Sequence, residues 1–120
     1  MTVEFFLLIF FVAIAGGIGT VLRLVVGQWQ GKLPWGILLA NVIGSLAVGF
    51  MSDRQNWFIG VILISGFAGG LSTFSTFAAQ TVDFLRRGRI TQGLLNVLLN
   101  LTLSSTAVLL GLALASQLLK

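Results

Sequence analysis

Phe74 and Phe77 lie three residues apart, beside Ser75 and Thr76, so the two rings share one face of a helix with hydroxyls next to them. An aromatic ring has a positive edge that can meet an anion, and hydroxyls can donate to the same ion without trapping it by charge. The competing reading of the rings is plain helix packing. Amides stand in equally apolar surroundings elsewhere. Asn96, Asn100 and Ser104 recur every four residues and form one stripe, broadened by Thr102, Ser105 and Thr106. That stripe reads either as the lining of a polar path or as a hydrogen-bonded helix interface. Asn41 either glues helices together or offers its N–H groups to an anion. Arg23, near the end of an apolar run, can snorkel to an interface, bond backbone carbonyls or draw anions into a vestibule.

The missing residue types narrow the chemistry. The chain contains no histidine and no cysteine, and Glu4, Asp53 and Asp83 all fall near the ends of apolar runs. No general base and no thiolate metal site can be assembled from such a set, so an enzyme is not expected. Proton-coupled and cation exporters need a carboxylate inside the membrane. The expected cargo is therefore an anion or a small neutral solute. The net charge of +4 comes from basic residues spread along the chain, most of them bordering apolar runs. Such placement sets membrane orientation rather than binding phosphate backbones, and no nucleic-acid partner is expected.

Membrane helices must position these groups. Hydrophobic residues make up 57% of the 120 and charged residues 8%, against about a quarter charged in a soluble domain. A span needs about 20 apolar residues, and four such runs fit the chain. They are Val3 to Val26, a run from near Pro34 to Ser52, Trp57 to about Phe84, and about Ile90 to Leu119. Pro34 suits a first helical turn because it has no N–H to satisfy. Met1 to Phe11 lacks a basic leading segment and continues too far to read as a cleaved signal. Trp29, Trp35 and Trp57 flank span ends, as interfacial anchors do. The expected fold is an all-α membrane protein, one four-helix transmembrane domain over residues 1–120, bathed by membrane lipid. Both termini then share a side with Arg54 and Lys120, while Lys32, Arg86, Arg87 and Arg89 fall on the other, a weak orientation lean.

The third span carries the sequence Gly66-Phe67-Ala68-Gly69-Gly70-Leu71-Ser72-Thr73-Phe74-Ser75-Thr76-Phe77. Its glycines each weaken a helix by roughly 1 kcal/mol against alanine, and hydroxyls follow at membrane depth. A helix break near Gly69–Thr73 is predicted. Non-helical backbone at that depth is tolerated only where it faces protein or a polar cavity, which makes it a transport feature. Gly16-Gly17-Ile18-Gly19, Gly44 and Gly49 are small residues that let helices approach closely. The first cluster also mimics part of a nucleotide-binding loop, but no strand precedes it and no acidic residue follows at the right distance.

The Gly66–Phe77 run closely resembles the motif of the Fluc (CrcB) fluoride channels. Gly16-Gly17-Ile18-Gly19 with Arg23, and Asn41-Val42-Ile43-Gly44-Ser45 with Gly49, are similar to that family's marks in spans one and two. The likeness covers essentially the whole chain. It departs from the family's usual pattern at Ser72, where threonine is common, and at Asn96, where tyrosine is. The resemblance implies an antiparallel, dual-topology homodimer with two fluoride pores along the subunit interface. It implies that the ring edges of Phe74 and Phe77 face fluoride and that Asn41 is a pore-side amide. Ser75, Thr76, Asn100, Ser104 and Arg23 would accompany them along the ion path. The carbonyls of Gly69 and Ser72 would hold a central structural Na⁺. The expected location is the inner membrane of a bacterium, where a passive exit pore relieves cytoplasmic fluoride.

Two other readings compete. A small multidrug-type exporter also has four spans in an antiparallel dimer, but it needs a glutamate within span one, and Glu4 lies too near the end. A non-transporting assembly subunit would leave the polar stripe and the interrupted helix without a use.

Overall fold

The computed structural model describes residues 2–52 and 56–119, and its described elements are helical. Helix α1 is Val3–Val26 and α2 is Trp35–Met51. The third run opens with α3, Trp57–Val61, widens into a π-helical segment, Ile62–Ala68, and closes with the single turn α4, Gly69–Leu71. Helix α5 is Phe74–Arg86 and α6 is Ile90–Leu118. The runs Val3–Val26, Trp57–Arg86 and Ile90–Leu118 are each long and apolar enough to cross a membrane. Helix α2 is apolar but has 17 residues, giving about 26 Å of rise against a hydrocarbon core of about 30 Å. Large apolar side chains such as Phe6, Phe10, Leu98 and Leu109 point outward. In water that surface would be untenable, and in lipid it is the solvated one. The chain is an all-α integral membrane protein.

Local signals account for the element ends. Pro34 lies one residue outside α2 rather than in its first turn, and its carbonyl accepts the Leu38 N–H at 3.2 Å. Asn56 caps α3 by accepting the Ile59 N–H at 3.3 Å. Helix α5 ends in a Schellman turn: Gly88 takes φ +73°, its N–H reaches Leu85 O, and the Arg89 N–H reaches Phe84 O at 2.8 Å. A cavity of about 230 Å³ lies between Gln30–Pro34 and Asp83–Arg89, so the α1–α2 loop and the α5–α6 turn share one end of the bundle. Lys32, Arg86, Arg87 and Arg89 belong to those two connections. Arg54 and Lys120, the other half of the orientation count, lie outside the described residues.

Two seams hold the bundle. Helix α2 packs along α6, while α1 packs along the π-helical segment and α4. In lipid the packing force is close backbone approach, which small residues permit. A Cβ at Gly49 would run into the Val108 carbonyl, and one at Gly111 into the Leu46 carbonyl. On the other seam a Cβ at Gly70 would strike the Gly16 carbonyl oxygen. Gly69 and Gly70 are thus helical, and Gly70 serves contact with α1. Gly69 is exposed, and a Cβ there would meet only Ile64 O at 3.5 Å. Gly70→Ala is expected to destabilise the fold by about 1–3 kcal/mol through overpacking. Gly69→Ala is expected to be neutral or slightly stabilising. Thermal unfolding of the two variants in detergent checks the contrast, and equal midpoints would contradict the seam.

Candidate functional site

The chain leaves helical geometry between α4 and α5. Ser72 has φ −78°, ψ 153° and Thr73 has φ −151°, ψ 124°, both extended. Ser72 still donates its N–H to Ala68 O at 2.9 Å, and its Oγ donates to the same oxygen at 2.9 Å. The Thr73 N–H, whose helical acceptor would be Gly69 O, instead goes to Asn41 Oδ1 at 2.7 Å. Thr73 then caps α5, its Oγ1 accepting the Thr76 N–H at 3.2 Å, a contact typically worth ~1 kcal/mol.

Asn41 on α2 holds the extended pair as a second strand would. Its Oδ1 takes the Thr73 N–H, and its Nδ2 donates to Thr73 O at 3.2 Å and to Asn100 Oδ1 at 2.9 Å. Asn100 donates to Asn96 O at 2.8 Å and Asn96 Oδ1 at 3.1 Å. Asn96, only 2% exposed, donates to Thr81 Oγ1 at 3.0 Å, and the Thr81 hydroxyl donates to Phe77 O at 2.9 Å. Both N–H groups of Asn41 and both of Asn100 are therefore engaged within the protein. Buried amides require such partners, since an unmatched one costs about 1–3 kcal/mol.

Beside this chain of bonds lies an open cavity of about 200 Å³, lined by Asn41, Ser45, Ser72, Thr73, Phe74, Phe77, Asn100, Leu101 and Ser104. The rings of Phe74 and Phe77 meet edge to face, centroids 5.8 Å apart and planes at 63°. Phe77 is buried at 9% exposure, whereas Phe74, also in the lining, is 79% exposed. Ser104 Oγ is buried and has no hydrogen-bond partner. The arrangement sets two aromatic rings among neutral hydroxyl and amide residues, with no cationic side chain among the lining residues.

The structure thus gathers Asn41, Phe74, Phe77, Asn100, Ser104 and Ser72 around one cavity. Ser75 and Thr76 sit on the first turn of α5 near Thr73 Oγ1, at 3.4 and 3.2 Å, and do not line it. Arg23 lies in the last turn of α1, where its charge complements the helix C-terminus, and is also outside the lining. Gly69 is helical, one turn before the extended residues. Sequence reasoning passed over Thr73, Ser45, Leu101 and Thr81. Thr81 had a visible signal: with Phe74 and Phe77 it completes an i, i+3, i+7 stripe on one helix face. Thr73 had one too, as a hydroxyl residue standing immediately before a helix. Ser45 had one as well, standing four residues after Asn41 on the same helix face; Leu101 carried none, because only the packing of α2 on α6 brings it there.

A family model described as "CrcB-like protein, Camphor Resistance (CrcB)" matches residues 10–112. A protein of Rhizobium etli named "Fluoride-specific ion channel FluC" is 36% identical, with 87% of this chain and 92% of the relative covered. A protein of the same name from Parabacteroides distasonis is 37% identical, covering 92% of this chain and 94% of its own. One from Clostridium novyi, again so named, is 34% identical, with 92% and 95% covered. The family model spans the α1 glycine cluster, Asn41, both extended residues, the two rings and the α6 amides, and on these grounds the chain belongs to the CrcB-like family.

Proposed function

We propose that this protein is a passive, fluoride-selective channel. The observation that carries the reading is the cavity lined by the paired rings of Phe74 and Phe77 together with hydroxyl residues, Ser104 among them without a hydrogen-bond partner. The relatives named as fluoride-specific channels support the choice of anion. Fluoride is small and strongly hydrated, so a pore must replace its water with donors yet hold it weakly enough to release it. Neutral hydroxyls and ring edges meet both demands, where an arginine would retain the ion. The exporter alternative loses ground because Glu4 lies exposed in the first turn of α1 and is not among the residues lining the cavity.

The cavity is open and one of its lining residues, Phe74, is largely exposed, so one chain builds only part of a path. Two antiparallel copies would close it and give two pores per dimer. A central Na⁺ is a chemically reasonable addition. Gly69 O has lost the Thr73 N–H to Asn41, Gly69 is exposed, and the carbonyls of Gly69 and Ser72 from two copies would offer four main-chain oxygens. A carbonyl ligand is indifferent to the side chain it belongs to, so Ser72→Thr should conduct like the wild type. Gly69→Val, which has room within one chain, should abolish dimer and flux together. The inner membrane of a bacterium, with fluoride leaving the cytoplasm, is the proposed setting.

Fluoride efflux from liposomes holding the purified protein, followed with a fluoride electrode and compared with chloride, tests the function. Rapid fluoride release without chloride release is the expected result. Release of both ions at equal rates, or of neither, would refute it.

A further inference from the structure

Five of the hydrogen bonds described above run in a single sense. Thr73 N–H donates to Asn41, Asn41 to Asn100, Asn100 to Asn96, Asn96 to Thr81, and Thr81 to Phe77 O. The chain starts at a backbone N–H, which can only donate, and ends at a backbone carbonyl, which can only accept. Its direction is therefore imposed from both ends, and no amide in it can turn over without setting donor against donor. Bonds aligned in this way polarise one another in a low-dielectric surround. Thr73 and Phe77 are the cap and the fourth residue of the same helix, so the path leaves α5, crosses α2 and α6, and returns to α5.

Each amide passes the sense along by accepting at its oxygen and donating at its nitrogen. Thr81 passes it through one hydroxyl, which accepts from Asn96 and donates four residues back along its own helix. We propose that Thr81 is a positioning residue. Its hydroxyl closes this one-way circuit and thereby holds the first turn of α5, with the rings of Phe74 and Phe77, against α2 and α6. The role of the rings rests on the fluoride-channel reading; the circuit itself does not.

Thr81→Val keeps the shape and removes the relay. The break then falls at Asn96, whose Nδ2 loses its acceptor in a site 2% exposed to solvent. Phe77 O keeps its helical N–H donor, so α5 itself should survive. Liposome flux is expected to fall about tenfold in Thr81→Val and to return to within about twofold of wild type in Thr81→Ser, because serine restores both bonds. Wild-type flux in the valine variant would overturn the proposal, as would equal losses in both variants, which would assign the effect to the methyl group. If the valine variant does not fold, Thr81→Cys, with a weak thiol donor in similar volume, should conduct below the wild-type rate, and a wild-type rate there would overturn it.

A second measurement does not depend on conduction. In the circuit the Thr73 N–H lies at the far end from Thr81, so its hydrogen exchange in detergent, read by NMR, should accelerate several-fold in Thr81→Val, while amides within α1 keep their rates. Unchanged Thr73 exchange would overturn the proposal even if flux fell. Absence of fluoride flux in the wild type would instead remove the channel reading and leave the circuit to be judged by exchange alone.

Discussion

Phe77→Ile is expected to lower fluoride flux by at least about tenfold, equivalent to roughly 1.4 kcal/mol, in protein that still folds. Isoleucine keeps apolarity and much of the bulk but has no polarised edge, and the edge-to-face contact with Phe74 at 5.8 Å disappears with it. Phe77 is buried, so a stability loss of about 1–2 kcal/mol should accompany the change. Phe74→Ile separates the two effects. That ring is 79% exposed in the single chain, so its replacement should leave the thermal midpoint of the chain nearly unchanged while lowering flux comparably. Liposome efflux read beside thermal unfolding makes the comparison. Wild-type flux in both variants would reduce the pair to packing.

Asn41→Asp should have a still larger effect, on folding and conduction together. The amide gives two N–H bonds, to Thr73 O and Asn100 Oδ1, while accepting one from the Thr73 backbone. A carboxylate in its place can still accept the Thr73 N–H but faces two acceptors with nothing to donate, and an uncompensated buried charge costs about 3–5 kcal/mol. The extended pair loses its clasp, the α2–α6 link breaks, and negative charge arrives beside the cavity. A flux loss of about a hundredfold or more is expected in whatever protein can be purified. Asn41→Leu should harm folding without adding repulsion, so any residual fluoride flux should exceed that of the aspartate variant. An aspartate variant that folds and conducts normally would show that Asn41 neither holds the extended segment nor borders the ion path.

The two readings of Asn41 available from sequence, helix glue and anion donor, are weighed differently by the fold. Both of its N–H groups are engaged inside the protein, so it acts first as the clasp that keeps Thr73 extended. The α6 stripe divides likewise. Asn96 donates to Thr81 on α5 and Asn100 accepts from Asn41 on α2, whereas the Ser104 hydroxyl has no hydrogen-bond partner.

Hydropathy alone determined that the chain is helical and membrane-embedded, and where its long runs begin and end. Span length and apolar composition are local quantities, and α1 and α6 fall within a residue of their expected bounds. Residue types alone also narrowed the chemistry to neutral donors and aromatic edges, because the chain has no histidine, no cysteine and no acidic residue deep in an apolar run. Only the tertiary structure decided which glycines matter for contact. Gly69 and Gly70 are adjacent and equally suspect in sequence, yet only Gly70 faces a neighbouring backbone. It also decided that Ser72 and Thr73 are the extended residues and that the winding before them is π-helical. The physical reason is that local propensity for leaving a helix is spread over several residues. The departure settles where another element supplies partners for the released groups, and here Asn41, 32 residues away from Thr73, supplies them.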